Sequence, residues 1–299
     1  MASDLICRLL SQIVYFDLDI SKYRNVELNL IPELKSRLEE ELQGVNSILL
    51  KEKSHDGFNN KYRYEDFLSG WCFASSLKEI RETIKQLSLA LDVFLDAYAF
   101  VNEGTKEVII AFRGTNRNDK KQLFYDMAEN IQCECQAVEK YIKKAINEEK
   151  IDISKIPADK QIFDQRDYSL AYLTHINMSY SKDIYSYILV GHSKGGSVVQ
   201  RLIQRTYNEY GSTRYKGVTF SSPAVLQYDV YQFLNCKNFV IKNDIVILGS
   251  NLLNKFHCRK NLKYYVGSVA SLKNKSIDRS GHKISCNYDK YFDKYGYIH

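Results

Sequence analysis

The most informative stretch of the sequence is YILVGHSKGG, which runs from Tyr187 to Gly196. An apolar, β-branched run enters the pattern G-x-S-x-G and continues into SVVQRLIQ, whose apolar residues have helical spacing. This order predicts a strand, a sharp turn with Ser193 at its centre, and a helix. The central residue of such a turn takes a strained backbone conformation, which is tolerated because small residues, Gly191 and Gly195, stand two positions away on either side.

Ser193 is therefore expected at the start of a helix, with its hydroxyl exposed. The first N–H groups of a helix lack intrahelical partners and that end is positive, so a developing negative charge is stabilised there. One turn thus supplies a nucleophile and part of an oxyanion site, which indicates a hydrolase. A phosphate-binding glycine loop is the alternative, but the Walker pattern ends in Gly-Lys-Ser or Gly-Lys-Thr, whereas Lys194 precedes two glycines.

Composition places the chain among ordinary globular proteins. It has 299 residues, of which 44% are hydrophobic, enough for one large α/β domain or two smaller ones. The net charge is +6 and the basic residues are scattered. This pattern is compatible with peripheral contact with an anionic membrane and equally with a plain solvated surface, and it does not indicate nucleic acid.

Seven cysteines form no C-x-x-C pair and have no matching histidine spacing, so neither a disulfide framework nor a metal site is predicted. The first residues, MASDLICRLLSQIVYFDLDI, lack the apolar core of a signal peptide, and no run reaches the length of a membrane span. We therefore expect a cytoplasmic protein. Export as an effector by a signal-less route is the alternative.

The chain divides into two predicted parts. Residues 1–90 are expected to form a helical N-terminal region packed on the core, with apolar positions three and four apart. The predicted helices are Ser3–Tyr15, Ile31–Leu50 and Phe67–Leu91, with a polar loop at residues 51–63. Residues 91–299 are expected to form the α/β domain.

The second part begins with a predicted hairpin, VFLDAYAFV and EVIIAF around the turn Asn102–Thr105. Helical patterns follow at Asn118–Glu149 and Ile162–Ser181, and then come the strand and helix of the serine turn. Later runs, GVTF, NFVI and KYYVGSV, predict further strands. This alternation predicts a mostly parallel central sheet.

A serine nucleophile needs a histidine base and an acid that orients the base, and in this architecture the chain order is Ser, acid, His. Two acids follow predicted strands. Asp244 comes directly after NFVIKN, where a loop is expected, whereas Asp229 lies in the predicted helix LQYDVYQFL. The position after a strand favours Asp244.

The downstream histidines are His257, His282 and His299. Spacing alone does not choose among them. His299 is at a terminus and His257 is close in sequence to Asp244, whereas His282 follows Arg279-Ser280-Gly281 in a predicted loop, which favours it as the base. His192, next to the nucleophile, is expected to pack beside the turn instead.

Five blocks in order carry a family resemblance. They are IIAFRGT at Ile109–Thr115, LVGHSKGG at Leu189–Gly196, VTFSSPAV at Val218–Val225, NDIV at Asn243–Val246, and GHKISCNYDKYF around His282. In this order and spacing the chain resembles a class 3 lipase over roughly Val93–Phe292. It is similar in particular to a bacterial branch of that family with a GHSKGG turn.

The resemblance implies an α/β-hydrolase fold, hydrolysis of carboxylic esters such as acylglycerols or phospholipids, and no cofactor. It implies Ser193 as nucleophile, Asp244 as acid and His282 as base. Thr115 matches an oxyanion-hole position through its N–H and hydroxyl, and the N–H of Lys194 is the second donor.

The sequence departs from the family at two places. Lys194 replaces the usual apolar residue beside the nucleophile, and its charge could face solvent or favour an anionic headgroup. Residues 116–130, where the family carries a lid, read NRNDKKQLFYDMAEN and are strongly polar, so a small soluble ester is an alternative substrate. An inactive scaffold that binds a lipid or protein partner, and a thioesterase or peptidase on the same fold, are the other hypotheses.

Overall fold

The computed structural model describes residues 2–44, 63–80, 95–114, 158–211, 214–226, 234–241, 244, 263–272, 288, 291–292 and 296–298. Its helices are α1 Asp4–Ile13, α2 Pro32–Gly44, α3 Tyr64–Leu68, α4 Ala158–Ser179 and α5 Lys194–Tyr210. Its strands are β1 Cys72–Ser76, β2 Ala97–Asn102, β3 Glu107–Phe112, β4 Ser186–His192, β5 Tyr215–Phe220, β6 Val225–Leu226, β7 Cys236–Ile241, β8 Lys263–Tyr264 and β9 Ser268–Leu272.

Seven of these strands form one sheet in the order β1-β2-β3-β4-β5-β7-β9. The pairs β1–β2 and β2–β3 are antiparallel, and every later pair is parallel. The predicted hairpin and the predicted mostly parallel sheet are both confirmed. Because β3, β4, β5 and β7 run in the same direction, their carboxyl ends meet at one edge, where ligands bind in open α/β sheets.

The two faces of the sheet pack on different helices. Strand β3 is buried along its whole length, as expected for a strand covered on both sides. One core lies on the α1 side and includes Leu9, Ile13, Ile109 and Val190. The other core lies on the α5 side and includes Val199, Leu202, Ile110 and Leu189. Alternation along each strand thus sends neighbouring residues to opposite cores.

Helix α1 is capped and tied to a distant part of the chain. Ser3 is its N-cap and accepts the N–H of Ile6 through its hydroxyl. The N–H of Leu5 donates to the carbonyl of Gly296 at 2.8 Å, and the N–H of Ile298 donates to the Asp4 carboxylate at 3.2 Å. Residues 296–298 therefore hold the N-terminal end of α1 in place.

The prediction of a helix over Phe67–Leu91 is wrong at residues 72–76, which form the edge strand β1. Cys72 pairs with Val101 of β2 and Phe73 with Phe100. Phe73 is buried against the rings of Tyr98 and Phe100, so long-range packing outweighs the local helical spacing. The helix expected at Ser3–Tyr15 is present as the shorter α1, and the helix expected at Ile31–Leu50 is present as α2 as far as residue 44, beyond which residues 45–50 lie outside the described residues.

The predicted strand KYYVGSV is divided in the structure. Lys263 and Tyr264 pair with β6 in a separate two-stranded ribbon, and the main sheet resumes with β9. Between them Gly267 has φ +80°, and a Cβ there would lie 2.1 Å from the carbonyl oxygen of Cys236. The chain turns at this glycine because other residues rarely adopt that backbone conformation.

The predicted helix Asn118–Glu149 lies outside the described residues, as does the loop at 51–63 except for Arg63. The division of the chain at residue 90 stays a prediction, although β1 shows that the first ninety residues contribute a strand to the sheet. Among the described helices, none combines the length and the apolar character that crossing a membrane requires.

Candidate active site

The predicted turn at Ser193 is present between β4 and α5. Ser193 has φ 55° and ψ −128°, a positive-φ conformation that a residue other than glycine seldom adopts. Its N–H donates to the carbonyl of Phe220 at 2.9 Å, and its own carbonyl accepts the N–H of Gly196 at 3.0 Å. Hydrogen bonds at both the N–H and the carbonyl of Ser193 thus stabilise this strained conformation.

Two glycines make the turn sterically allowed. A Cβ on Gly191 would lie 2.3 Å from the carbonyl carbon of Gly195, and a Cβ on Gly195 would lie 2.1 Å from the carbonyl oxygen of Phe112. Real Cβ atoms do not approach other atoms this closely. The glycines of the G-x-S-x-G pattern are therefore needed for α5 to pack back against β4 and against the end of β3.

The chain after β3 lies beside the serine turn. A Cβ on Gly114 would lie 2.6 Å from the carbonyl oxygen of His192 and 3.2 Å from the Cβ of Ser193. The carboxyl ends of β3 and β4 are neighbours in the sheet, with Phe112 paired to Gly191. Gly114 of the FRGT block thus lies beside the serine turn, while Thr115 lies outside the described residues.

The hydroxyl of Tyr15, two residues beyond α1, reaches the same place. Tyr15 Oη accepts the N–H of Gly114 at 3.0 Å and lies 3.0 Å from His192 Nδ1. The Tyr15 and His192 rings meet edge to face, with centroids 5.9 Å apart. His192 is buried, so it packs beside the turn as its sequence position suggested.

Arg113 anchors the strand end that precedes Gly114. Its N–H donates to the carbonyl of Asp96 at 2.9 Å, and its guanidinium lies 3.2 Å from the Asp96 carboxylate. The Asp96 side chain is 44% exposed, so the ion pair is at the surface and contributes little to stability. The guanidinium carbon of Arg113 also lies 5.7 Å from the centre of the Tyr15 ring.

Ser193 and Lys194 are both buried, at 9% and 3% exposure. Gly114 and the end of β5 flank the turn closely. Burial also removes the alternative in which the Lys194 charge faces solvent. The backbone of Lys194 begins α5, where N–H groups lack intrahelical partners.

Asp244 follows β7 at the same edge of the sheet. Its N–H donates to the carbonyl of Ile241 at 2.9 Å in a tight turn, and the residue is fully buried. β7 is two strands from β4, with β5 between them. The axes of β4 and β7 are thus about 10 Å apart.

Two tyrosines lie near Asp244. Burial raises the pKa of the Tyr265 phenol, and the Asp244 carboxylate raises that pKa further. The pKa of Tyr288 is raised in the same way, first by burial, although its hydrogen bond to Ser221 lowers it. Both phenols therefore stay neutral, and each donates its proton to a backbone carbonyl, Tyr265 to that of Ser222 and Tyr288 to that of Phe239.

The loop after β5 is held by buried hydrogen bonds. Tyr288 Oη lies 2.8 Å from Ser221 Oγ and donates to the carbonyl of Phe239 at 3.1 Å, and Ser221 itself has φ 48°. The amide of Gln200, on α5, donates to Ser222 Oγ and to the carbonyl of Pro223. These contacts fix the loop between the strands that carry Ser193 and Asp244.

The structure brings Ser193, Lys194, Gly191, Gly195 and Asp244 to one edge of the sheet. His282 and Thr115 lie outside the described residues. Three further residues at this edge, Tyr15, Tyr288 and Gln200, were not predictable from the sequence, because their partners are far along the chain and no local motif marks them.

A mostly parallel sheet with helices on its faces and a strained serine turn between a strand and a helix defines the α/β-hydrolase class. Within this class, residues 109–250 match the family model described as lipase (class 3). The resemblance to class 3 lipases is confirmed over this segment, which contains Ser193 and Asp244 but not His282. The bacterial branch stays a prediction.

Solved lipase structures are similar to this chain at low sequence identity. A lipase from Rhizopus microsporus var. chinensis is 14% identical, with 71% of this chain and 68% of that chain covered and a TM-score of 0.38. A mutant form of MDLA from Penicillium cyclopium is 13% identical, with 93% and 82% covered and a TM-score of 0.45. The Lip2 lipase from Yarrowia lipolytica is 12% identical, with 81% and 80% covered and a TM-score of 0.39. The search among curated proteins found no match.

Proposed function

We propose that this chain hydrolyses carboxylic esters by a serine mechanism. One observation carries the proposal: Ser193 has a positive φ between two glycines that cannot bear a Cβ. Such strain persists only where many surrounding contacts hold the residue in that conformation, and it is most common at active sites. The match of residues 109–250 to class 3 lipases supports the same reaction.

In the proposed mechanism, Ser193 Oγ attacks the acyl carbonyl while His282 takes its proton. The negative charge on the tetrahedral oxygen is stabilised by the N–H of Lys194 at the start of α5 and by Thr115, the residue after Gly114. His282 then protonates the departing alcohol, and water releases the acyl group from Ser193. Asp244 orients His282 and stabilises its positive charge.

The substrate of the proposed reaction is an acyl ester or a lipid, with acylglycerols and phospholipids as the first classes to test. The net charge of +6 is compatible with peripheral contact with an anionic membrane. Because Lys194 is buried, we do not assign it to binding a headgroup. We propose action in the cytoplasm or, after export by a signal-less route, in another compartment.

A fluorophosphonate probe tests the nucleophile directly, because it reacts with activated serines. The comparison uses the wild type, Ser193→Ala and Ser197→Ala, which loses a buried hydroxyl one turn further along α5. We expect the wild type and Ser197→Ala to be labelled and Ser193→Ala to be unlabelled. Hydrolysis of p-nitrophenyl esters, emulsified acylglycerols and phospholipid vesicles then identifies the ester class.

The outcomes separate the hypotheses. Loss of labelling and of turnover in Ser193→Ala alone supports the proposed hydrolase. Labelling that persists in folded Ser193→Ala would place the reactive serine elsewhere and overturn the assignment. A folded wild type that is neither labelled nor active, with detergent present, would favour the scaffold that binds a lipid or protein partner.

A further inference from the structure

The hydroxyl of Tyr15 joins three segments that are distant in sequence. It accepts the N–H of Gly114, 99 residues away, and contacts Nδ1 of His192, 177 residues away. His192 immediately precedes Ser193. One phenol oxygen from the N-terminal region therefore touches both the strand end after β3 and the turn that presents the serine.

The packing around this oxygen is tight. A Cβ on Gly114 would lie 2.2 Å from Tyr15 Oη, so the glycine backbone rests directly on the hydroxyl. The same Cβ would lie 3.2 Å from the Cβ of Ser193. Movement of Gly114 therefore changes its distance from the nucleophile turn. Displacements of about 1 Å in an active site can lower rates about 100-fold.

We propose that Tyr15 is a positioning residue for the reaction at Ser193. Its hydroxyl fixes the backbone of Gly114 relative to the serine. This inference rests on the ester hydrolysis proposed above. It assigns to the N-terminal region a role in the chemistry, in addition to covering one face of the sheet.

The sequence offers a matched control for the loss of this hydroxyl. Tyr98 is buried, and its hydroxyl donates to the carbonyl of Phe16, the residue after Tyr15. Within the described part of the chain, this hydroxyl bonds to the carbonyls of Phe16 and Leu18 and not to Gly114 or His192. Tyr15→Phe and Tyr98→Phe therefore make the same chemical change in neighbouring places, and only the first removes the contact with the site.

The experiment measures kcat and KM of both variants with a soluble p-nitrophenyl ester. We expect Tyr15→Phe to lower kcat by about 10-fold or more, since oxyanion donors contribute about 100- to 1,000-fold when removed outright, and to change KM by less than about 3-fold. Tyr98→Phe is expected to keep kcat within about 2-fold of the wild type. Equal kcat values in the two folded variants would overturn the inference while leaving wild-type activity, and so the proposed function, intact.

A second measurement does not depend on activity. The Gly114 N–H is expected to exchange with solvent at least about 1,000-fold more slowly than in a free peptide, because Gly114 is buried and its N–H is bonded to the Tyr15 hydroxyl. Fragmentation-resolved hydrogen exchange measures this in the wild type, and we expect at least about 10-fold faster exchange in Tyr15→Phe but not in Tyr98→Phe. Unprotected Gly114 in the folded wild type would contradict the inference. Thermal midpoints are measured first, and both variants are assayed at a temperature where they are folded.

Discussion

Gly195 and Phe112 approach so closely that a Cβ on the glycine would lie 2.1 Å from the carbonyl oxygen of the phenylalanine. Gly195 is in the first turn of α5 and Phe112 is the last residue of β3. The start of the helix therefore rests on the backbone of the neighbouring strand without any side chain between them. This contact sets how far the serine turn can lie from the chain after β3.

Gly195→Ala is expected to lower both the free energy of unfolding and the hydrolytic activity more than an alanine replacement at an uncrowded glycine does. The added methyl group must push α5 away from β3, so we expect loss of at least about 2 kcal/mol of folding free energy and of most hydrolytic activity. Urea unfolding and ester hydrolysis measure both effects. Gly104→Ala, in the turn between β2 and β3, meets only a side-chain oxygen at 3.3 Å and should stay within about 1 kcal/mol of the wild type. Comparable losses in both variants would contradict the close-contact account.

Asp244→Asn should lower kcat by about 10,000-fold if Asp244 orients the histidine, because an amide favours the wrong imidazole tautomer. The change is nearly isosteric at a fully buried position, so kinetics on folded protein are informative. Asp183→Asn is the control, since Asp183 forms an exposed ion pair with Arg214. Full activity in Asp244→Asn would show that another acid serves the histidine.

Gln12→Met is expected to stabilise the protein. Gln12 is buried on α1, and within the described part of the chain neither amide atom has a hydrogen-bond partner. An unsatisfied buried polar group costs about 1–3 kcal/mol, so an apolar side chain of similar volume should raise the free energy of unfolding by about 1 kcal/mol.

Gln200→Met should have the opposite effect. Its fully buried amide donates to Ser222 and Pro223 and accepts the N–H of Val266, so methionine leaves these groups without partners. Urea unfolding of both variants gives the comparison. A less stable Gln12→Met would show that this amide has an energetically important partner.

Alkaline pH should destabilise the fold through buried thiols. Burial raises the pKa of Cys236 to about 12, although a hydrogen bond to Asn238 lowers it, and burial also raises the pKa of Cys7, with a further increase from the Asp4 carboxylate. Unfolded thiols ionise near pH 9, while these thiols stay protonated in the folded state. Folding therefore retains protons that the unfolded chain releases, and stability falls above pH 9 by about 1.4 kcal/mol per pH unit for each such thiol.

The measurement is urea unfolding at pH 8, 9 and 10 for the wild type and Cys236→Ala. The variant loses one such thiol, so its stability should fall less steeply with pH even if it is lower throughout. The same slope in both proteins would contradict a strongly raised pKa at Cys236.

The serine turn could be predicted because its information is local. A β-branched strand, two glycines around Ser193 and a helical pattern all lie within about twenty residues, and each local preference agrees with the final structure. The hairpin of β2 and β3 was predictable for the same reason. The position of Asp244 just beyond a strand was predictable from the apolar run NFVI that precedes it.

Features that depend on distant partners were not predictable in this way. Residues 72–76 have helical spacing, but pairing with β2 and burial of Phe73 make them a strand. Tyr15 was predicted only as the last residue of a helix. Its contacts with Gly114 and His192 arise from the folded chain, and no local pattern indicates them.

The contacts of Tyr15 have a consequence for the order in which the protein can mature on the ribosome. Tyr15 is synthesised long before Gly114 and His192, and α1 gains its bonds to Gly296 and Ile298 only when nearly the whole described chain has been made. Contacts of such high sequence separation form slowly, because long loops must close first. The contacts of Tyr15 with Gly114 and His192 can therefore form only after residue 192 has left the exit tunnel, and the bonds that tie α1 to residues 296–298 only after residue 298 has done so.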